Sequence, residues 1–235
     1  MNKTVCLTGA AGGLGSSFAR VCLEEGWQVL AGDLQENART EMLAREYGEA
    51  FAFHPLDVSD PESVRSYADW VRARTAQLDL LMNAAGYYTP NSNRRFEEFD
   101  IEKSMEMYSI NALGPLRMLQ QLLELVLASE DKVVVNISSE AGSMAGSVKH
   151  TWRYDYGMSK AALNLATTIL HRQYREKGIR FLLVHPGWMR TEMGGMRATL
   201  EPEVSAREIF RLIQREKHCL DNNLFMDYNG TPRPW

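Results

Sequence analysis

The chain runs to 235 residues, 45% of them hydrophobic and 24% charged, with 26 basic against 30 acidic side chains. That apolar share excludes wholesale disorder, and the length suffices for one sizeable core. A net charge of −4 supplies no basic field for a polyanion, which argues against nucleic acid as a partner.

Short apolar runs alternate along the chain with longer amphipathic ones. Residues 3–8 read as a buried strand, followed by glycine-rich punctuation and a helix over 14–25 that stops at Gly26. A second strand covers 27–32, a helix 37–47 ends at Gly48, and a third strand covers 50–53. Ser59-Asp60-Pro61-Glu62 then sets a capping residue, a proline suited to a first turn and an acid at a helix start. Strands follow at 79–82 and 132–137, separated by a helical segment from about 101 to 127 that Gly114-Pro115 should interrupt. A helix over 156–176, a strand over 179–184, a helix over 204–217 and a seventh strand near 224–226 complete the pattern.

Runs such as Val133-Val134-Val135 and Phe181-Leu182-Leu183-Val184 suit strands covered on both faces. Strand–helix alternation without a linker or repeat predicts one α/β domain over 1–235, a doubly wound parallel sheet of about seven strands with helices on both faces. The longest apolar stretch, 113–128, carries Arg117 and Glu124, so no membrane span is expected. Val5-Cys6-Leu7 stops at Thr8-Gly9, too short for a secretory leader. Cys6, Cys22 and Cys219 form no C-x-x-C pair and read as buried small hydrophobes. His54, His150, His171, His185 and His218 lack ligand spacing, so no metal is expected, and the setting reads as cytoplasmic.

Thr8-Gly9-Ala10-Ala11-Gly12-Gly13-Leu14-Gly15 lies between the first strand and the first helix. Glycines there let the backbone approach a pyrophosphate, while helix amides and the helix dipole favour its charge. Asp33 follows the second strand, 18 residues after Gly15, placed to accept hydrogen bonds from adenosine ribose hydroxyls and to repel a 2′-phosphate. No arginine or lysine lies in the glycine loop or just after Asp33, which favours NAD over NADP. Farther on, Tyr156 and Lys160 stand four apart, hence on one helix face. A nearby cation favours the phenolate, and the pair can exchange a proton with an alcohol or ketone while a cofactor carries hydride.

These motifs do not stand alone. Together with Asp57-Val58, Asn83-Ala84-Ala85-Gly86, Asn111, Asn136-Ile137-Ser138-Ser139 and Pro186-Gly187, they make the sequence resemble the short-chain dehydrogenase/reductase family in its compact single-domain, Rossmann-type branch. The stretches 185–195 and 226–235 look like those of sniffer-type and C-factor-like carbonyl reductases. The resemblance implies Tyr156 as acid/base, and Lys160 as holder of the nicotinamide ribose and depressor of the Tyr156 pKa. It implies Ser139 as partner of the substrate oxygen and Asn111 as the group positioning a water beside Lys160. It further implies a cofactor site built from Gly9, Gly12, Gly13, Leu14, Gly15, Asp33, Leu34, Asp57, Val58, Asn83, Ala84, Ala85, Gly86, Pro186, Gly187, Met189 and Thr191, with Tyr156 and Lys160. Family spacing to Gly142 selects Ser139, leaving Ser138 as a strand-end hydroxyl satisfied by backbone.

Two features depart from those relatives. They often carry a basic residue in the glycine loop, where Gly12 stands here, and the interval from Ser139 to Tyr156 is about four residues longer than usual. By analogy, loops over about 87–99, 140–155 and 188–202 flank the substrate. They contain Tyr87, Tyr88, Arg94, Arg95, Lys149, His150, Trp152, Arg153 and Tyr154, whose cations suit a carboxylate or phosphate and otherwise read as solvated loop charges. Trp188 reads as packing, and Met189, Met193 and Met196 as an adaptable lid or as ordinary core. The expected function is hydride transfer between NAD(H) and a secondary alcohol, ketone or aldehyde, by a homodimer or homotetramer packed through the long helices. A nucleotide-binding sensor or signalling protein, and an epimerase or dehydratase using NAD transiently, are the rival readings.

Overall fold

Alternation inside the apolar runs decides which face each side chain covers. In β1 (Thr4–Thr8), Val5 and Leu7 enter one core while Cys6 enters another, and Leu80 and Met82 against Leu81 divide in the same way in β4 (Leu80–Asn83). The computed structural model describes residues 3–147 and 153–235, so Lys149, His150 and Trp152 lie outside the described residues. With β2 (Gln28–Asp33), β3 (Phe51–Pro55), β5 (Val133–Ile137), β6 (Arg180–His185) and β7 (Phe225–Asp227), the sheet has the order β3-β2-β1-β4-β5-β6-β7, every pairing parallel. Helices α1 (Gly13–Glu24), α2 (Ala38–Tyr47) and α8 (Pro202–Glu216) cover one face. The other carries α3 (Pro61–Arg72), α4 (Ser104–Tyr108), α5 (Gly114–Ala128) and α7 (Tyr154–Tyr174), with the short α6 (Met144–Ser147) before it in the chain. Phe210 of α8 closes the first face against Phe18 and Trp27, ring centroids 6.3 and 5.7 Å away.

The strand order reverses between β1 and β4, and this switch point fixes where a ligand can enter. Register aligns Gly32, Thr8, Asn83 and Asn136 across four neighbouring strands at their carboxyl ends. Helix starts follow the expected chemistry. Asp60 caps α3 by accepting from the amides of Glu62 and Ser63, and Asn37 closes a capping box on α2.

Three expectations need correction. Helix α7 begins at Tyr154, two residues earlier than its pattern predicts. Gly114-Pro115 does not break the long helix; a π-helical turn over Ser109–Leu113 takes up the extra residue, and Pro115 sits in the first turn of α5, where its missing N–H costs nothing. Cys6 and Cys22 are buried, with the Cys6 thiol pushed up to about 12 by that burial, but Cys219 is only half-buried.

Candidate active site

The turn from β1 into α1 is packed to contact. Gly9 has φ +73, and a Cβ there would stand 2.6 Å from the Ala85 amide nitrogen; one on Gly15 would fall on the carbonyl oxygen of Gly9. Ala85 in turn donates its N–H to Thr8 Oγ1 at 3.1 Å, tying the end of β4 to the loop. No side chain caps α1 at Gly12, so the first amides around Gly13, Leu14 and Gly15 are left for a ligand anion. Thr191 reaches over from the segment after β6, its methyl 2.7 Å from where a Gly13 Cβ would be. A cradle closed to side chains at the bare end of a 12-residue helix fits a dinucleotide pyrophosphate.

Asp33 stands at the end of β2 with both carboxylate oxygens committed, Oδ2 accepting from Ala11 N at 2.8 Å and Oδ1 from Leu34 N at 2.7 Å. Leu34 is exposed beside it. A local scan of the sequence misses the cation that the fold brings here. Arg39 donates to Ala11 O at 3.1 Å and pairs with Glu192 at 2.6 Å, joining α2, the glycine loop and the segment carrying Thr191. Nothing in the sequence near Asp33 signals that contact.

Asp57 accepts from Ser59 N and Oγ, and Val58 is buried against Gly114. In the Asn83–Gly86 turn, Gly86 lies by Asn111 and Lys160, while Ala84 and Ala85 pack against the two cores. The Asn83 side chain is buried and donates to Asn136 Oδ1, whose amide donates to Thr167 Oγ1. Asn83 is thus a brace under the site. Pro186 accepts from Ser205 Oγ, and Gly187 at φ +81 is packed under Leu200 and Tyr228. The Met189 side chain packs against the core rather than into the cleft.

Ser139, Tyr156, Lys160 and Asn111 converge on the carboxyl ends of β4 and β5. Ser139 caps a 3-10 turn over Glu140–Gly142, and its hydroxyl is near enough to the Tyr156 phenol to lower its pKa. Ser138, one residue earlier, donates to Asn164 Oδ1 at 2.6 Å, a side-chain partner rather than the expected backbone one. Lys160 is 3% exposed and donates to Ile137 O at 2.8 Å, with its Nζ 5.8 Å from the Tyr156 ring centroid. Asn111 sits in the π-helical turn, fully buried. It accepts from Tyr87 N at 2.7 Å and donates to Tyr87 O at 2.9 Å, clasping that loop backbone. A Cβ on Gly86 would be 3.7 Å from Asn111 Oδ1 and 4.0 Å from Lys160 Nζ, so both groups face one small space.

Burial pushes Lys160 down to about 8. Burial raises the Tyr156 phenol, while the Ser139 hydroxyl and the charge of Arg153 draw it back. Arg153 is thus a second cation near that phenol, beside Lys160, whose ammonium lies by the ring and donates to Ile137 O.

In the flanking loops Arg94 and Arg95 are exposed and fit the solvated-charge reading, whereas Trp188 departs from expectation. Tyr88 stands edge-on to Tyr156 with centroids 5.1 Å apart, and Tyr154 packs against Phe96 and Phe99. Met193 Cε approaches Gly86, but Met196 is 84% exposed, and Trp188 is half out in solvent with its Nε1 on Gly194 O instead of packed. The final residues also hold the Ser139 turn: Arg233 pairs with Glu140 and Asp227, Ser143 Oγ donates to Pro234 O, and Ala145 N to Trp235 O. Among the described residues, no group of three or more His, Cys, Asp and Glu is placed to hold a metal ion, and no helix is long and apolar enough to cross a membrane.

Known proteins resemble this chain in sequence and fold. The sequence model of the family described as short chain dehydrogenase matches residues 3–201. The C-signal of Myxococcus xanthus is 35% identical over 163 residues, covering 68% of this chain and 95% of that protein. The carbonyl reductase from chicken fatty liver, solved with NADPH bound, superposes with a TM-score of 0.90 at 26% identity over 100% of this chain and 99% of its own. Carbonyl reductase Sniffer of D. melanogaster shares the fold at a TM-score of 0.89, with 24% identity and full coverage of both chains. Likeness of this extent in both sequence and sheet leads to one assignment: the chain belongs to the short-chain dehydrogenase/reductase family, the NAD(P)-dependent oxidoreductases built on a single Rossmann-type domain.

Proposed function

We propose that the protein interconverts a secondary alcohol and a ketone, or a primary alcohol and an aldehyde, with Tyr156 as the proton-transferring group. The observation that carries this reading is the meeting of Ser139, Tyr156 and Lys160 beside the glycine-loop cradle. Bound NAD(P) supplies or accepts the hydride. In the reductive direction the Tyr156 hydroxyl gives its proton to the carbonyl oxygen; in the oxidative direction the phenolate takes the alcohol proton. The Ser139 hydroxyl orients that oxygen, and the Lys160 ammonium, held by Ile137 O, is placed to hold the ribose of the nicotinamide nucleoside. The clasp of Asn111 on Tyr87 keeps that loop at a fixed distance from Lys160.

NAD is the proposed partner, because Asp33 meets the ribose end with a carboxylate that repels a 2′-phosphate. Arg39, close by, moderates that repulsion, and the chicken carbonyl reductase was solved with NADPH, so the preference is one of degree. Exposed Met105 and Leu113 beside α4 and α5, with Leu165 and Ile169 on α7, support packing of a second copy on the long helices. The likeness to C-signal keeps a signalling role as a second reading, with turnover secondary.

Tyr156→Phe is the test. Absorbance of the reduced nicotinamide should show at least a thousandfold loss of turnover across a panel of aldehydes and ketones, with cofactor binding retained. Turnover kept by that variant overturns the acid/base role, and no turnover by the parent protein favours signalling.

A further inference from the structure

Arg153 lies near enough for its charge to lower the pKa of the Tyr156 phenol, yet among the described residues it has no carboxylate partner. It stands at the start of α7, three residues before Tyr156, at φ 74, a left-handed backbone that non-glycine residues seldom adopt outside constrained sites. Its own N–H donates to Ser92 O at 2.8 Å, fastening this turn to the 87–99 loop. The guanidinium carbon lies 6.0 Å from the Tyr88 ring centroid, and the Tyr88 ring stands against that of Tyr156. Arg153, Tyr88 and Tyr156 thus make one continuous wall from the cation to the reacting phenol.

Arg190 pairs with Glu201 and Arg233 with Glu140, whereas Arg153, like the exposed Arg94 and Arg95, enters no ion pair among the described residues; unlike those two it is partly buried. Its Nε is buried and has no hydrogen-bond partner among them. The Tyr88 phenol faces the guanidinium and engages it, so Nε is the buried donor left unmet. Asp155, two residues on, does not meet that donor; it is fully buried and spends Oδ1 on the Tyr156 amide at 2.8 Å. Its charge nonetheless counts against a dianion at this spot. What fits one guanidinium fork near a buried carboxylate is a planar monoanion.

We propose that Arg153 binds a carboxylate on the substrate, so that the compounds handled at Tyr156 are aldehyde or keto acids and the matching hydroxy acids. The inference rests on the redox reading above and names its substrate class. Arg153 is here a binding residue for the part of the substrate that does not react.

Two measurements separate the two claims. In the first, 3-formylbenzoate and its methyl ester are compared as substrates of the parent protein, Arg153→Lys and Arg153→Gln. The parent should prefer the acid at least tenfold in kcat/KM, Arg153→Gln should bring the ratio near one, and Arg153→Lys should recover part of it. The ratio cancels any general effect of the Arg153 charge on Tyr156. In the second, benzoate and phenyl phosphate are titrated calorimetrically into the cofactor-loaded protein. Benzoate should bind, and bind at least tenfold more weakly to Arg153→Gln. Equal kcat/KM for acid and ester in the parent, benzoate binding unchanged by Arg153→Gln, or tighter binding of phenyl phosphate would each overturn the assignment. If neither aldehyde reacts, the redox reading fails on these probes, and the benzoate titration still decides Arg153.

Discussion

At the cofactor end of the cleft, β1, α1 and the turn after β4 meet so closely that a single added methyl on Gly9 or Gly15 lands on backbone. At the substrate end, the segment after β6 leaves Gly195 with nothing within 4 Å, Met196 exposed and Trp188 half in solvent. The cofactor is shared by many enzymes and its shape is fixed, so a rigid, side-chain-free cradle serves it. Substrates differ, and the surface proposed to meet them is loop, where sequence can change without disturbing the sheet.

The comparison breaks most readily at Gly15. Gly15→Ala forces its new methyl onto Gly9 O, with no side chain between to yield. The expected cost is about 3 kcal/mol or more, read as a fall in the urea midpoint together with loss of NAD affinity. A variant keeping both would mean that the cradle is not the tight element described.

Lys160 tests the border between the two regions, since it reaches from α7 to the end of β5. An unfolded lysine keeps its proton to about 10.5, but the buried one only to about 8. Folding is therefore penalised at neutral pH, and the penalty fades as pH rises from about 8 toward 10. Lys160→Met removes it and leaves Ile137 O unmatched, for a net gain on the order of 1–2 kcal/mol at pH 7 that shrinks above pH 8. Activity should fall about a hundredfold or more in the same variant. Thermal melts at pH 7 and 9.5 check the sign; a variant less stable at pH 7 would mean that the ammonium stabilises the fold.

How far the sequence could be read follows the same division. Strands, the cap at Asp60 and the glycine turn depend on residues adjacent in the chain, and their patterns are local. The meeting of Arg39 with Ala11 and Glu192, the tail of Arg233 and Pro234 on the Ser139 turn, and the position of Arg153 depend on contacts across the fold. No spacing rule announces them. The π-helical turn at Asn111 was hidden for another reason: Gly114-Pro115 looks like a break, yet proline is harmless in a first turn.

Asp33 gives a smaller effect at the rim of the cradle. Asp33→Ala removes the acceptor for Ala11 N and Leu34 N and uncovers Arg39 to the ribose. The ratio of NAD to NADP affinity should drop about tenfold, some 1.4 kcal/mol, by fluorescence titration of both reduced cofactors. An unchanged ratio would remove the argument for NAD.

The smallest effect belongs to Gly195, and it is the matched opposite of Gly9. The two have nearly equal backbone, φ +75 and +73, but only Gly9 is in contact with its surroundings. Gly195→Ala carries the left-handed penalty alone, about 1 kcal/mol, borne by a surface loop that opens without unfolding the sheet. The urea midpoint and cofactor affinity should therefore stay within error of the parent, and any change should fall on substrate KM. Gly9→Ala adds the clash with Ala85 to the same penalty and should lose cofactor binding. If the two variants behaved alike, backbone conformation and not contact would be what distinguishes the cradle from the loop, and the division between fixed and variable ends of the cleft would fall.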